Sequence, residues 1–97
     1  MGDYELRITS QADRDLREIV AYIAEDNPVA AERFGVRLVD KAELLKMFPK
    51  LGKKVKGTLE DRVLVEGPIL IFYRADVAAC VIEIKRFWHG ARGRRAT

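Results

Sequence analysis

Apolar and polar positions alternate over Tyr4-Glu5-Leu6-Arg7-Ile8-Thr9, which predicts a short strand with one buried face. The period then changes. Ala12, Leu16, Ile19, Val20 and Ile23 follow at steps that put them on one side of a helix, with Ser10 as its N-cap and Asp13 in the first turn. Arg14, Asp15, Arg17, Glu18 and Glu25 fall on the opposite, outward side. Asn27-Pro28 stops this helix and restarts another, because Asn caps well and Pro suits a first helical position. The second stripe is Ala31, Phe34, Leu38, Ala42 and Leu45, widened by Val39 and Phe48, and Pro49 ends it. So short a link makes the two helices antiparallel neighbours. Gly35 in mid-helix costs about 1 kcal/mol relative to Ala, so either the helices approach closely there or the cost is tolerated.

The second half reads as strands. Residues 49–61 form a basic loop with two glycines, and Arg62 to Glu66 is an apolar run ending at Gly67-Pro68, a dipeptide suited to a type II′ turn. Ile69 to Tyr73 is apolar at both parities, which predicts a central strand buried on both faces. A turn is expected at Arg74-Ala75-Asp76 and a last strand from Cys80 to Trp88, stopping at His89-Gly90. The order strand-helix-helix-strand-strand-strand predicts an α+β fold, a small antiparallel sheet packed against an antiparallel helical hairpin. Residues 1–97 form one domain, and the basic tail, residues 90–97, is expected to fray.

Composition narrows the chemistry. The single cysteine, Cys80, sits in an apolar run and reads as a small buried hydrophobe, so no disulfide forms within the chain and a reducing cytoplasm is expected. The acidic N-terminus has no long apolar stretch, so neither signal peptide nor membrane span is expected. Residues 1–48 hold seven Lys/Arg against ten Asp/Glu, and residues 49–97 hold eleven against five. That asymmetry points to an anionic partner for the second half, or to a solvated basic surface.

One histidine and one cysteine make no metal site of recognised spacing, and no phosphate-binding glycine loop is present; no cofactor is expected. Ser10 is the only serine and is committed to capping. What remains is cationic: Lys53, Lys54 and Lys56 in the loop, then Arg62, Arg74, Arg86 and His89 near strand ends. Cations steady a pentacoordinate phosphate and a histidine moves protons near neutral pH, so such a set could cleave RNA without metal. The alternative is that Arg62, Arg74 and Arg86 pair with Glu60, Asp61, Asp76 or Glu83. In an unbroken strand Arg86 and Trp88 share a face while His89 lies on the other, so convergence requires a bend or bulge near Trp88, or that His89 has already left the ladder. Trp88 is either a stacking or anchoring platform or a cover for the core.

Taken together, these residues resemble the RelE/ParE superfamily, the toxins of type II toxin–antitoxin modules. The resemblance runs through Ala12-x-x-Asp15-Leu16, Ile19, Tyr22 to Pro28, Ala30-Ala31, Leu45, Phe48-Pro49, Gly52, Arg62, Phe72-Tyr73-Arg74 and Ile84 to Arg92. It implies one of two activities: poisoning of DNA gyrase, as in ParE-like members, or ribosome-dependent mRNA cleavage, as in RelE-like ones. The Asp-Asn-Pro-x-Ala-Ala and His-Gly-Ala-Arg patterns are closer to the ParE branch. Arg62, Arg86 and His89 would be catalytic in a ribonuclease. Lys53, Lys54, Lys56, Arg74, Trp88 and Arg92 would meet nucleic acid or the target. The C-terminal segment of a cognate antitoxin would wrap the helices and sheet, with Leu16, Ile23, Phe34, Leu38 and Leu45 as its docking residues. A non-toxic nucleic-acid-binding module is the third reading.

Overall fold

In the computed structural model, which describes residues 4–90, the elements are β1 (Glu5–Ile8), α1 (Ser10–Ala24), α2 (Pro28–Leu44), β2 (Lys53–Lys54), β3 (Asp61–Glu66), β4 (Ile69–Asp76) and β5 (Val81–His89). They form one five-stranded sheet, ordered β1-β5-β4-β3-β2, with the helical hairpin on one face. The α+β order is as the sequence predicts, with two corrections. The sheet is mixed, because β1 pairs parallel to β5. The basic loop also contributes an edge strand: Lys53 and Lys54 pair with Val63 and Arg62.

Local chemistry sets the helix boundaries. Thr9, not Ser10, caps α1: its Oγ1 accepts from the Ala12 N–H and donates to the carbonyls of Ile84 and Lys85. Asn27 caps α2 through the Ala30 N–H, with Pro28 at its start. The helices do approach closely at Gly35, where an added Cβ would lie 3.2 Å from Val20 Cγ2. Phe48 lies outside the core and is half-exposed, since the helix has already ended at Leu44.

The core sits between hairpin and sheet: Ala12, Ile19, Leu38, Ala42 and Leu45 pack over Ile69, Ile71, Tyr73, Ile82, Ile84 and Phe87. β4 is central, but only its Ile69-Ile71-Tyr73 face is fully buried; Leu70 and Phe72, on the face away from the helices, are half-covered. β4 runs on to Asp76, so the turn falls at residues 77–80 rather than at Arg74 to Asp76. Cys80 is therefore not a buried strand residue. It is exposed in that turn with φ +56°, a conformation that favours glycine. The β3–β4 loop is the two-residue one expected, with Gly67 at φ +60° before Pro68.

β5 bulges. Phe72 pairs with Arg86 but Tyr73 pairs with Ile84, leaving Lys85 as an extra residue. This resets the alternation so that Ile84 and Phe87 both bury on the helical face, which an unbroken strand would forbid.

Candidate functional site

Strand register divides the chemistry-bearing residues between two faces. Pairing of Leu70 with Trp88, Phe72 with Arg86 and Val63 with both Phe72 and Lys53 puts these side chains on the face away from the helices. Arg62 and Lys54, opposite Tyr73 and each other, lie on the helical side, as does His89 opposite Ile69.

Asp61, Leu70, Phe72, Lys85, Arg86 and Trp88 line a shallow cavity of about 430 Å³ on the open face. Its cations are already partnered: Lys85 Nζ lies 2.9 Å from Asp61, and Arg86 binds Asp15 through Nε at 2.7 Å and a second nitrogen at 3.2 Å. The Arg86 guanidinium carbon also stands 5.1 Å from the centroid of the Trp88 ring, a cation–π geometry.

Asp15 corrects the sequence expectation. It faces inward from α1 and is only 6% exposed. β1 covers one edge of β5 as far as Ile84; beyond it the backbone needs other partners. Thr9 takes the carbonyls of Ile84 and Lys85, and Asp15 accepts the Phe87 N–H at 3.1 Å. Gln11 donates to the same carboxylate at 2.8 Å. Burial alone would raise the Asp15 pKa, but hydrogen bonds from Arg86, Gln11 and Phe87 outweigh it and hold it below the usual carboxylate range. The Asp15 hydrogen bond likewise pushes Arg86 up.

A second set of cations lies elsewhere. Lys50, Lys54 and Arg62 share a cavity of about 570 Å³ with Glu60 and Asp76. Arg62 is fixed there by donating to the Gly52 carbonyl at 2.7 Å. Beside it the fully buried Tyr73 hydroxyl donates to Pro49 O at 2.8 Å and accepts the Gly52 N–H at 2.9 Å. Burial raises the pKa of that phenol. Gly52 is required: a Cβ would come within 2.6 Å of the Val63 carbonyl oxygen. Arg74 pairs with Glu60 at 2.9 Å, and Lys56 is exposed in the turn after β2.

Arg62, Arg86 and His89 are not brought together. Arg62 sits at the Tyr73 end of β4 and His89 at the Ile69 end, about 13 Å apart along the strand direction alone. The His89 ring instead meets Tyr22 of α1 edge-on, with centroids 6.0 Å apart. Of the expected antitoxin-docking residues, Leu38 and Leu45 are fully buried in the chain's own core, so they offer no surface; Leu16, Ile23 and Phe34 are half-buried. Arg92 and the rest of the tail beyond Gly90 lie outside the described residues. Among the described residues no three His, Cys, Asp or Glu are grouped as metal ligands, and no helix is long and apolar enough to cross a membrane.

A helical hairpin on one face of a five-stranded mixed sheet is the α+β architecture of the RelE/ParE superfamily. Residues 6–93 match the family described as the ParE toxin of the type II toxin-antitoxin system, parDE, and the chain belongs to that family. It is 33% identical over 84 residues to Toxin RelE2 of Caulobacter vibrioides, covering 87% of this chain and 92% of the relative. Toxin RelE1 of the same organism is 24% identical over 91 residues, with 94% and 98% covered. Among solved structures, the fold matches the chromosomal ParDE TA system from P. aeruginosa at a TM-score of 0.75 and 19% identity, covering 92% of this chain and 98% of that one. The toxin-antitoxin complex RelBE2 from Mycobacterium tuberculosis matches at 0.71 and 24%, covering 90% and 98%.

Proposed function

We propose that this toxin acts by binding DNA gyrase rather than by cleaving RNA, and that an antitoxin neutralises it. The observation that carries this reading is the separation of the groups a ribonuclease would need. Arg62 is committed to a backbone carbonyl, Arg86 to Asp15, and His89 lies at the far end of β4 against Tyr22. General acid–base chemistry needs its groups within hydrogen-bond reach of one substrate, whereas each of these three is held in a separate contact and Arg62 and His89 stand at opposite ends of β4. A surface mixing Trp, Phe and a half-exposed Arg is, by contrast, the composition of a protein-binding anchor. The antitoxin is proposed to use what the hairpin leaves exposed, namely Val29, Val36 and Leu44 on α2 with Met47 beyond it. Purified toxin at micromolar concentration should inhibit supercoiling by gyrase, with inhibition reversed by the antitoxin. Full supercoiling activity in its presence would reject the gyrase target.

A further inference from the structure

We propose that Asp15 is a positioning residue: it holds the Arg86 guanidinium over Trp88 and so presets the open sheet face as the surface that meets the target protein. The inference rests on the reading that the toxin acts by binding a protein. Four observations support it. Asp15 is a buried carboxylate whose partners include both the half-exposed Arg86 side chain and the Phe87 backbone, so one group ties down the segment leading to Trp88. Arg86 would otherwise be a long side chain free to sample many rotamers, and a partner that froze it would have to offset that lost freedom. Held at 5.1 Å from the Trp88 centroid, it is already in one geometry before any partner arrives.

The third observation is charge. Both cations of the open-face cavity already have carboxylate partners, Asp15 and Asp61, so the cavity has little net charge to offer a phosphodiester. Its lining of Leu70, Phe72 and Trp88, shared with the paired Arg86 and Lys85, is suited instead to an apolar or aromatic side chain of a protein. The fourth is the bulge at Lys85, which puts Phe87 into the core while leaving Arg86 and Trp88 on the open side. Phe87 thus anchors the segment from below, and Asp15 from the edge.

The test compares Asp15→Asn, Arg86→Gln, Arg86→Ala and the double variant Asp15→Asn/Arg86→Ala. Each is assayed for growth arrest on induced expression, gyrase inhibition, thermal midpoint and Trp88 emission. Asn can still accept the Phe87 N–H but carries no charge to hold the guanidinium. The expected result is that Asp15→Asn weakens growth arrest and gyrase inhibition about tenfold or more, as truncation of an interface anchor does. Its Trp88 emission, the only tryptophan signal in the chain, should shift toward that of Arg86→Ala. Potency should fall no further in the double variant than in Arg86→Ala alone, since Asp15 acts through Arg86. Wild-type potency in Asp15→Asn, or a further loss in the double variant that follows its thermal midpoint, would overturn the proposal. Should Asp15→Asn not fold, Arg86→Gln decides: it can still donate to Asp15, and unchanged potency in that variant overturns the proposal equally. Growth arrest without gyrase inhibition by the wild type would remove gyrase as the target while leaving the role of Asp15 readable from growth. A wild type inert in both assays would reject both.

Discussion

Replacing Tyr73 by Phe tests how the lysine loop is held. The ring stays in the core, and only the hydroxyl is lost. That hydroxyl donates to Pro49 O at 2.8 Å and accepts the Gly52 N–H at 2.9 Å, in a side chain with no solvent exposure. Its removal leaves a buried donor and a carbonyl without this partner. An orphaned buried group costs about 1 to 3 kcal/mol, and Pro49 O is less enclosed than Gly52 N, so a loss of about 2 to 3 kcal/mol is expected. For a domain of this size that lowers the thermal midpoint by about 8 to 24 °C. Urea unfolding followed by far-UV circular dichroism gives the free energy directly, and the slope should not change. The loss should be accompanied by faster amide exchange at Gly52 and Lys53, because residues 49–54 are fixed at this point. A loss below about 0.5 kcal/mol with unchanged exchange would mean that the loop is held by something else.

Three further outcomes follow from the same structure. Gly52→Ala should destabilise the fold by about 1 to 3 kcal/mol, measured in the same urea titration, because the methyl group meets the Val63 carbonyl oxygen at 2.6 Å and the Tyr73 ring at 2.8 Å. Cys80→Gly should stabilise it by about 1 kcal/mol by relieving the left-handed backbone, and the wild-type thiol, being exposed, should react fully with a thiol reagent without denaturant. The carboxyls of Asp15 and of Glu66 (hydrogen-bonded by Arg37, then Lys41) have pKa values lowered on folding. Their contribution is therefore complete above the unfolded carboxylate pKa of about 4 and is lost as pH falls through the lower folded values. Urea midpoints should be flat above about pH 5 and drop below it, with a shallower drop in Asp15→Asn.

How far the sequence reveals this molecule depends on how local each signal is. Asn27-Pro28 marks a helix boundary because capping and proline geometry act within a few residues, and it is legible on sight. Thr9 and Ser10 are adjacent hydroxyls, and what selects Thr9 is the carbonyls of Ile84 and Lys85, far off in sequence. β2 has no apolar pattern; Lys53 and Lys54 are a strand only because Val63 and Arg62 lie opposite. Asp15 has the sequence context of an outward helical charge, and its burial is decided by the uncovered edge of β5 beyond Ile84. Parity along residues 82–89 shows only that a regular strand would keep Arg86 and His89 on different faces. The bulge falls at Lys85, however, and Arg86 and His89 still end on opposite faces. Cys80 shows the converse failure, an apolar stretch whose first member belongs to a turn.

The separation of Arg62, Arg86 and His89 is the claim on which the mode of action turns, and primer extension on translated message from cells expressing the toxin tests it most directly. The proposed mode of action predicts no toxin-dependent 5′ ends, with growth arrest still present. New ends that disappear in both Arg62→Ala and His89→Ala, each shown to be folded, would contradict it.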